Sequence, residues 1–189
     1  MFKDLLARIG RTLPAYNIPY MIIGGQALLL YGEPRLTKDI DITLGSNIDR
    51  LPEVLHLLDE LSLEPATEDI EDFVRRTMVL PALDAATGIR VDFIFSFTPY
   101  EREAIARSRK VSVGGENVAF AAAEDLIIHK IFAGRPRDLE DVRSILLRNP
   151  SRDLDYIRQW LREFDAAEQG QGFLNTFEEI LKSVSDSLA

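Results

Sequence analysis

Tyr20-Met21-Ile22-Ile23-Gly24-Gly25-Gln26-Ala27-Leu28-Leu29-Leu30-Tyr31 is followed, one polar loop later, by Asp39-Ile40-Asp41-Ile42-Thr43-Leu44. The first four residues are an apolar run of buried-strand length. Gly24-Gly25 breaks that run, and Gln26 to Tyr31 has the composition of an apolar helix. The second stretch alternates Asp39, Asp41 and Thr43 with isoleucine or leucine, the period-two pattern of a strand with one wet face. Strand, glycine turn, helix, loop and strand in succession point to a layered α/β arrangement.

Working outward, Phe2, Leu5, Leu6, Ile9 and Leu13 recur at helical spacing, so a helix is expected from Phe2 to about Tyr16, ended by Pro14, Asn17 and Pro19. Gly32 to Lys38 is a polar loop. Ser46 or Asn47 is placed to cap a helix carrying Leu51, Val54, Leu55 and Leu58, with Pro52 in the first turn, where proline is tolerated. Phe73 to Ala82 is expected to be partly strand, Asp84 to Gly88 a turn, and Ile89 to Phe97 a strong strand. Glu101 to Ser108 reads as a short helix, and Lys110 to Phe120 as a hairpin about Gly114-Gly115. From Ala121 the pattern is helical throughout: Ala122 to Phe132, Leu139 to Leu147, Leu154 to Phe164 and Phe173 to Val184. The expected organisation is an α/β part over 1–120 and a helical part over 121–189.

At 189 residues, with 46% apolar and 28% charged residues, the chain can bury one sizeable core with a helical appendage. No apolar run approaches the roughly 20 residues of a membrane span, and Met1-Phe2-Lys3-Asp4 is unlike a secretory signal. The absence of cysteine excludes disulfides, thiol nucleophiles and thiolate metal sites. A cytoplasmic protein with no membrane partner is expected. The net charge of −9 argues against a broad nucleic-acid-coating surface. Residues 49–72 hold nine acids against the single base Arg50, whereas residues 130–162 hold eight bases against five acids. The latter stretch is either a local basic face for phosphates or a solvated helix surface.

Side chains two apart on a strand share a face, so Asp39 and Asp41 project together while Ile40 and Ile42 turn to the core. Crowded carboxylates repel unless a cation intervenes, and hard divalent ions take oxygen ligands. The alternative is a wet face of a half-buried strand. Arg90-Val91-Asp92-Phe93-Ile94-Phe95 adds a third acid in an otherwise apolar strand. Such an acid needs a metal, a base or hydrogen bonds, or a pairing with Arg90 on the same face. If the two strands are neighbours, the three acids share one end of the sheet. That triad could hold two metals, with Asp92 also able to take a proton from an attacking hydroxyl. Gly24 and Gly25, between strand and helix, would let a phosphate approach the backbone and the helix N-terminus.

Together these residues resemble the polymerase-β-like nucleotidyltransferase superfamily, and more narrowly its AbiEii-type branch, which includes toxins of type IV toxin–antitoxin systems. The resemblance lies in Gly24-Gly25-Gln26-Ala27, in Arg35-Leu36-Thr37-Lys38-Asp39-Ile40-Asp41 and in Arg90-Val91-Asp92. It continues in Glu124-Asp125-Leu126-Ile127-Ile128-His129-Lys130 and Arg135-Pro136-Arg137-Asp138-Leu139-Glu140-Asp141. It implies an α+β fold: a mixed β-sheet nucleotidyltransferase core over 1–120, flanked by helices, and a C-terminal helical bundle over 121–189 that completes the nucleotide site. Many relatives carry serine after the glycine pair; here Gln26 stands there, with an amide able to donate.

Residue by residue, the resemblance implies that Asp39 and Asp41 hold the metal ions and that Asp92 is a ligand or the base. Gly24, Gly25 and Gln26 would cradle the nucleotide, Lys130 would reach the triphosphate, and Asp138 would sit near the nucleotide or orient Lys130. Arg35, Lys38 and Arg137 are candidates for contact with phosphate or acceptor. The blander alternatives are a snorkelling Lys130 and a helix-capping Asp138 with Asp141. His56 and His129 lack a second histidine at metal spacing and read as structural; Trp160, with Tyr156 and Leu161, reads as helix packing. The implied cofactor is Mg²⁺, two ions, with Mn²⁺ as the alternative. The implied reaction transfers NMP from an NTP to an acceptor such as the tRNA 3′ end, a protein or a small-molecule hydroxyl, with a cognate antitoxin as a further partner. Two competing classes are an antibiotic-modifying adenylyltransferase and a binding protein with a degenerate site.

Overall fold

The computed structural model describes every residue except Phe97, Gln169 and Ala189, and gives Leu188 a place in a helix without a side-chain environment. The chain divides into two units. Met1–Gln26 with Leu36–Ala121 form the first, and Ala27–Arg35 with Ala122–Ala189 form the second.

In the first unit, α1 (Phe2–Ala15) buries Leu5, Leu6, Ile9 and Leu13, the stripe its spacing predicts. It is followed by β1 (Tyr20–Ile22), all of it buried, and then by α2 (Gly24–Tyr31). The helix begins at Gly24, not Gln26, so the glycine pair is its first turn. Next come β2 (Asp39–Leu44), a 3-10 turn at Ile48–Arg50 whose first amide is capped by the Asn47 side chain, and α3 (Leu51–Glu60). The two-residue β3 (Glu64–Pro65), α4 (Ile70–Thr77), β4 (Val79–Asp84) and β5 (Ile89–Phe95) follow. Of Phe73 to Ala82, expected to be partly strand, the residues to Thr77 are helix and those from Val79 lie in β4. Ile70, Phe73 and Val74 fall at helical spacing, Glu71 and Asp72 suit the first turn, and Arg75 and Arg76 suit the last. The left-handed Met78 (φ 59) ends α4, and the strand begins one residue later. The expected strand end at Phe97 lies outside the described residues.

A reciprocal Thr98–Glu101 cap starts α5 (Pro99–Ala106). The expected hairpin is β6 (Arg109–Val113) and β7 (Glu116–Phe120), turned at Gly114 and Gly115, both at positive φ. The seven strands make one mixed sheet in the order β3-β4-β5-β2-β1-β7-β6. At its centre β2 pairs parallel with β5 and antiparallel with β1. The Ile23 amide donates to the Asp41 carbonyl at 2.9 Å, so the chain leaving β1 is tied to the middle of β2.

The second unit takes the rest of α2 and four further helices: α6 (Ala123–Ala133), α7 (Pro136–Arg148), α8 (Leu154–Ala167) and α9 (Phe173–Leu188). Gly134 in the left-handed region ends α6, and Pro136 opens α7 where its missing N–H costs nothing. Leu126, Ile127, Ile131, Val142, Ile145, Ile157, Leu161 and Phe177 form the core. Trp160 lies 6.2 Å from Phe164, which meets Phe132 edge-on, and Phe132 stacks on Phe173. The tryptophan therefore sits in an aromatic packing cluster, as its spacing predicts. Among the described residues, no helix is long and apolar enough to cross a membrane.

Candidate active site

The parallel register of β2 and β5 sets Asp39 opposite Arg90 and Asp41 opposite Asp92. The strands are therefore neighbours, and the three acids lie on one face of the sheet. Ile40, Ile42, Val91 and Phe93 occupy the opposite face and are at most 1% exposed. Like charges directly opposite on adjacent strands destabilise a sheet, so the Asp41–Asp92 pair needs compensation. Arg90 supplies some of it: its Nε donates to Asp92 Oδ1 at 2.8 Å. That hydrogen bond, with the charges of Asp92, Asp39 and Asp41, raises the Arg90 pKa above the usual arginine value.

Gly24 belongs to the same locus. Its φ is +61°, and a Cβ built on it would overlap Asp41 Oδ2 and lie 2.9 Å from Asp41 Cγ. Nothing larger than glycine leaves Asp41 in place. A Cβ on Gly25 would stand 2.5 Å from Thr37 Oγ1 and 2.8 Å from Thr37 Cβ. Thr37 in turn donates through its hydroxyl to Asp39 Oδ1 at 2.8 Å. The glycine pair thus packs, residue for residue, on the elements that carry the two acids. Thr37 joins the candidate site through its bond to Asp39, and a hydroxyl two residues before the first acid is the signal for it in the sequence. Gln26 is buried, and Lys38 is exposed beside Asp39.

Three carboxylates at the end of two adjacent strands are a hard-oxygen donor set suited to Mg²⁺ or Mn²⁺. As the side chains stand, they do not converge: among the described residues, no group of three or more acidic or histidine side chains is close enough to hold an ion. Asp39 is engaged by Thr37 and Asp92 by Arg90. The donor chemistry and its placement on one face of adjacent strands suit a divalent cation.

The second unit has a charged centre of its own. Lys130, 4% exposed on α6, donates to Asp141 Oδ2 at 2.6 Å and to Asp138 Oδ1 at 3.1 Å. Arg35 completes the group, with its Nη2 3.1 Å and its Nε 3.3 Å from Asp141 Oδ2. Lys130 is therefore a buried, doubly paired cation and not a snorkelling one. Asp138 sits in the first turn of α7 behind the N-cap Arg135, so it is not the capping residue. Arg35, a candidate for phosphate or acceptor contact, has its guanidinium on Asp141. Arg137 is exposed on α7, and His56 is exposed on α3.

A mixed sheet with acids paired across two central strands, a glycine-started helix against one of them and a C-terminal helical unit define a nucleotidyltransferase-like fold. The chain belongs to the family described as nucleotidyltransferase of unknown function (DUF6036), which matches residues 2–182. Solved structures share the fold. ANT(2″)-Ia in complex with adenylyl-2″-tobramycin has a TM-score of 0.58 at 18% identity, covering 88% of this chain and 98% of its own. An antigenic nucleotidyltransferase-like protein from Paracoccidioides brasiliensis has a TM-score of 0.53 at 17% identity, covering 92% of each chain. The lincosamide antibiotic adenylyltransferase LnuA has 0.52 at 12% identity, covering 75% of this chain and 94% of its own. No curated protein sequence matches the chain.

Proposed function

We propose that this protein transfers a nucleoside monophosphate from an NTP to a hydroxyl acceptor, with a divalent cation held by Asp39, Asp41 and Asp92. The observation that carries the reading is the pairing of Asp41 with Asp92 across β2 and β5, with Gly24 packed against the Asp41 carboxylate. A glycine at a position where any side chain would be strained and would strike one oxygen of one acid indicates a carboxylate held in position for chemistry. When bound, Mg²⁺ or Mn²⁺ would neutralise phosphate charge and lower the pKa of the attacking hydroxyl. In the transfer, the acceptor oxygen bonds to the α-phosphorus, the bond to pyrophosphate breaks, and the hydroxyl proton passes to Asp92. Asp39, steadied by Thr37, and Asp41 supply fixed negative charge. The amides opening α2 at Gly24 and Gly25 are placed to meet a phosphate.

For the acceptor, the AbiEii-type resemblance favours the 3′ hydroxyl of tRNA, in a toxin paired with an antitoxin. The exposed Arg135, Arg137 and Arg143 along α7 support an RNA acceptor. A second reading, a small-molecule hydroxyl, is supported by the net charge of −9 and by the antibiotic adenylyltransferases among the structures that share the fold. Incubation with each labelled NTP, Mg²⁺ and either total RNA or hydroxylated antibiotics, followed by separation of the products, distinguishes the two. Asp41→Asn is expected to abolish labelling of either acceptor while leaving the melting temperature level or higher, because one of two opposed charges is gone. Labelling that persists in Asp41→Asn overturns the assignment.

A further inference from the structure

We propose that Arg90 is a built-in counter-cation of the carboxylate centre, occupying Asp92 until a divalent ion displaces it and thereby setting the affinity of the centre for that ion. The inference rests on the carboxylate reading above and adds a determinant that reading does not contain. Arg90 faces Asp39 in the register and bonds Asp92 two residues along its own strand, so it stands among all three acids. The pair is lopsided. The Asp92 side chain is 16% exposed and the Arg90 side chain 55%. A long side chain that is more than half exposed can swing outward into water, whereas the carboxylate on its strand cannot follow. Exposed ion pairs are weak enough to exchange. A guanidinium only donates hydrogen bonds, so it cannot ligate an incoming cation and opposes it by charge.

Arg90 then has two effects of opposite sign. It relieves repulsion among the acids in the ion-free chain, and it weakens ion binding. Direct titration of the ion-free protein with Mn²⁺ alone, followed by calorimetry and by thermal melting, reads both. Arg90→Gln is expected to melt lower without ion and to bind Mn²⁺ about tenfold more tightly, with a larger Mn²⁺-induced rise in melting temperature. Arg90→Lys, which keeps the charge, is expected to stay near the wild-type affinity. The gap between Arg90→Gln and wild type should narrow as ionic strength rises. A lower melting temperature with unchanged Mn²⁺ affinity makes Arg90 a structural ion pair only and overturns the proposal while the carboxylate reading stands. Mn²⁺ binding that survives Asp41→Asn and Asp92→Asn, or no binding by either wild type or Arg90→Gln, overturns the carboxylate reading and the proposal with it.

Discussion

Gly24 shows how one residue can couple a helix start to a charge. At φ +61°, any other L-residue is strained, and its Cβ meets Asp41. Gly88, at φ +70°, has the same backbone demand with nothing within 4 Å of a Cβ. Gly88→Ala therefore measures the conformational cost alone, about 1 kcal/mol, whereas Gly24→Ala adds an overpacking cost and should reach about 3 kcal/mol by denaturant unfolding. Combining Gly24→Ala with Asp41→Ala should recover most of the excess, since the three nearest atoms all belong to Asp41. Additive losses in the double variant would show that the two residues do not constrain each other. The glycines and the acids were each legible in the sequence. Their contact was not, because a helix start and a strand more than ten residues later share no local signal.

At the scale of elements, α6 and α7 are joined by charge as well as by apolar packing. Lys130 on α6 pairs with both Asp138 and Asp141, Arg135 stands 3.9 Å from Asp138, and Arg35 reaches Asp141 from the loop after α2. Removing one member of a buried ionic group leaves the others uncompensated. Lys130→Met, which keeps the volume, should therefore lower stability by about 3 kcal/mol, measured by urea unfolding. If the resemblance also holds for the nucleotide, the NTP KM rises about tenfold while the variant remains folded. An unchanged unfolding curve would mean that Arg35 and solvent compensate fully. The entry to α9 carries a pH-dependent tie: Asp165 accepts from the Phe173 amide at 2.8 Å and the Leu174 amide at 3.0 Å. Burial raises its pKa, but the backbone amides of Leu174, Phe173 and Gly172 outweigh that and hold it below the ordinary 3.8. The folded state thus favours the ionised carboxylate, so the stabilisation is present at neutral pH and is lost as pH falls from about 4 through the lowered value. Asp165→Asn should cost about 1 kcal/mol at neutral pH, and the gap to wild type should close as the pH falls through the lowered value. A pH-independent difference would remove the charge from the argument.

At the scale of the whole molecule, charge is segregated along the chain: 49–72 is strongly acidic and 130–162 is basic. The basic stretch contributes fewer open cations than its count implies. Lys130 is buried among acids, Arg158 pairs with Glu178, and Arg152 donates to the Leu146 and Asn149 carbonyls. Exposed Arg137, Arg143 and Arg148 remain on α7, and exposed Arg135 at its N-cap stands 3.9 Å from Asp138. If the acceptor is RNA, replacing Arg135 and Arg143 with Glu should weaken RNA labelling and reduce the logarithmic salt slope by about one to two. Labelling and slope that stay unchanged would move the acceptor to the small-molecule reading.

Taken by itself, the sequence determined the local features: the alternation that turns Asp39 and Asp41 to one face, the glycine pair at a strand–helix junction, the hairpin at Gly114-Gly115 and the helices from Ala123 onward. Periodicity and turn chemistry act over a few residues, so they can be read from a few residues. Where helix gives way to strand within 70–84 was not legible, because the apolar spacing of Ile70–Thr77 is brief and only the dipole-matched charges at its ends mark it as helix. Tertiary structure alone decided that Asp41 faces Asp92, that of the partners open to Asp92 it is Arg90 that engages it, and that Arg35 reaches Asp141 across 106 residues. Strand register and long-range ion pairing are set by packing of the whole sheet or helical unit, and a one-residue slip would undo them while leaving every local pattern intact.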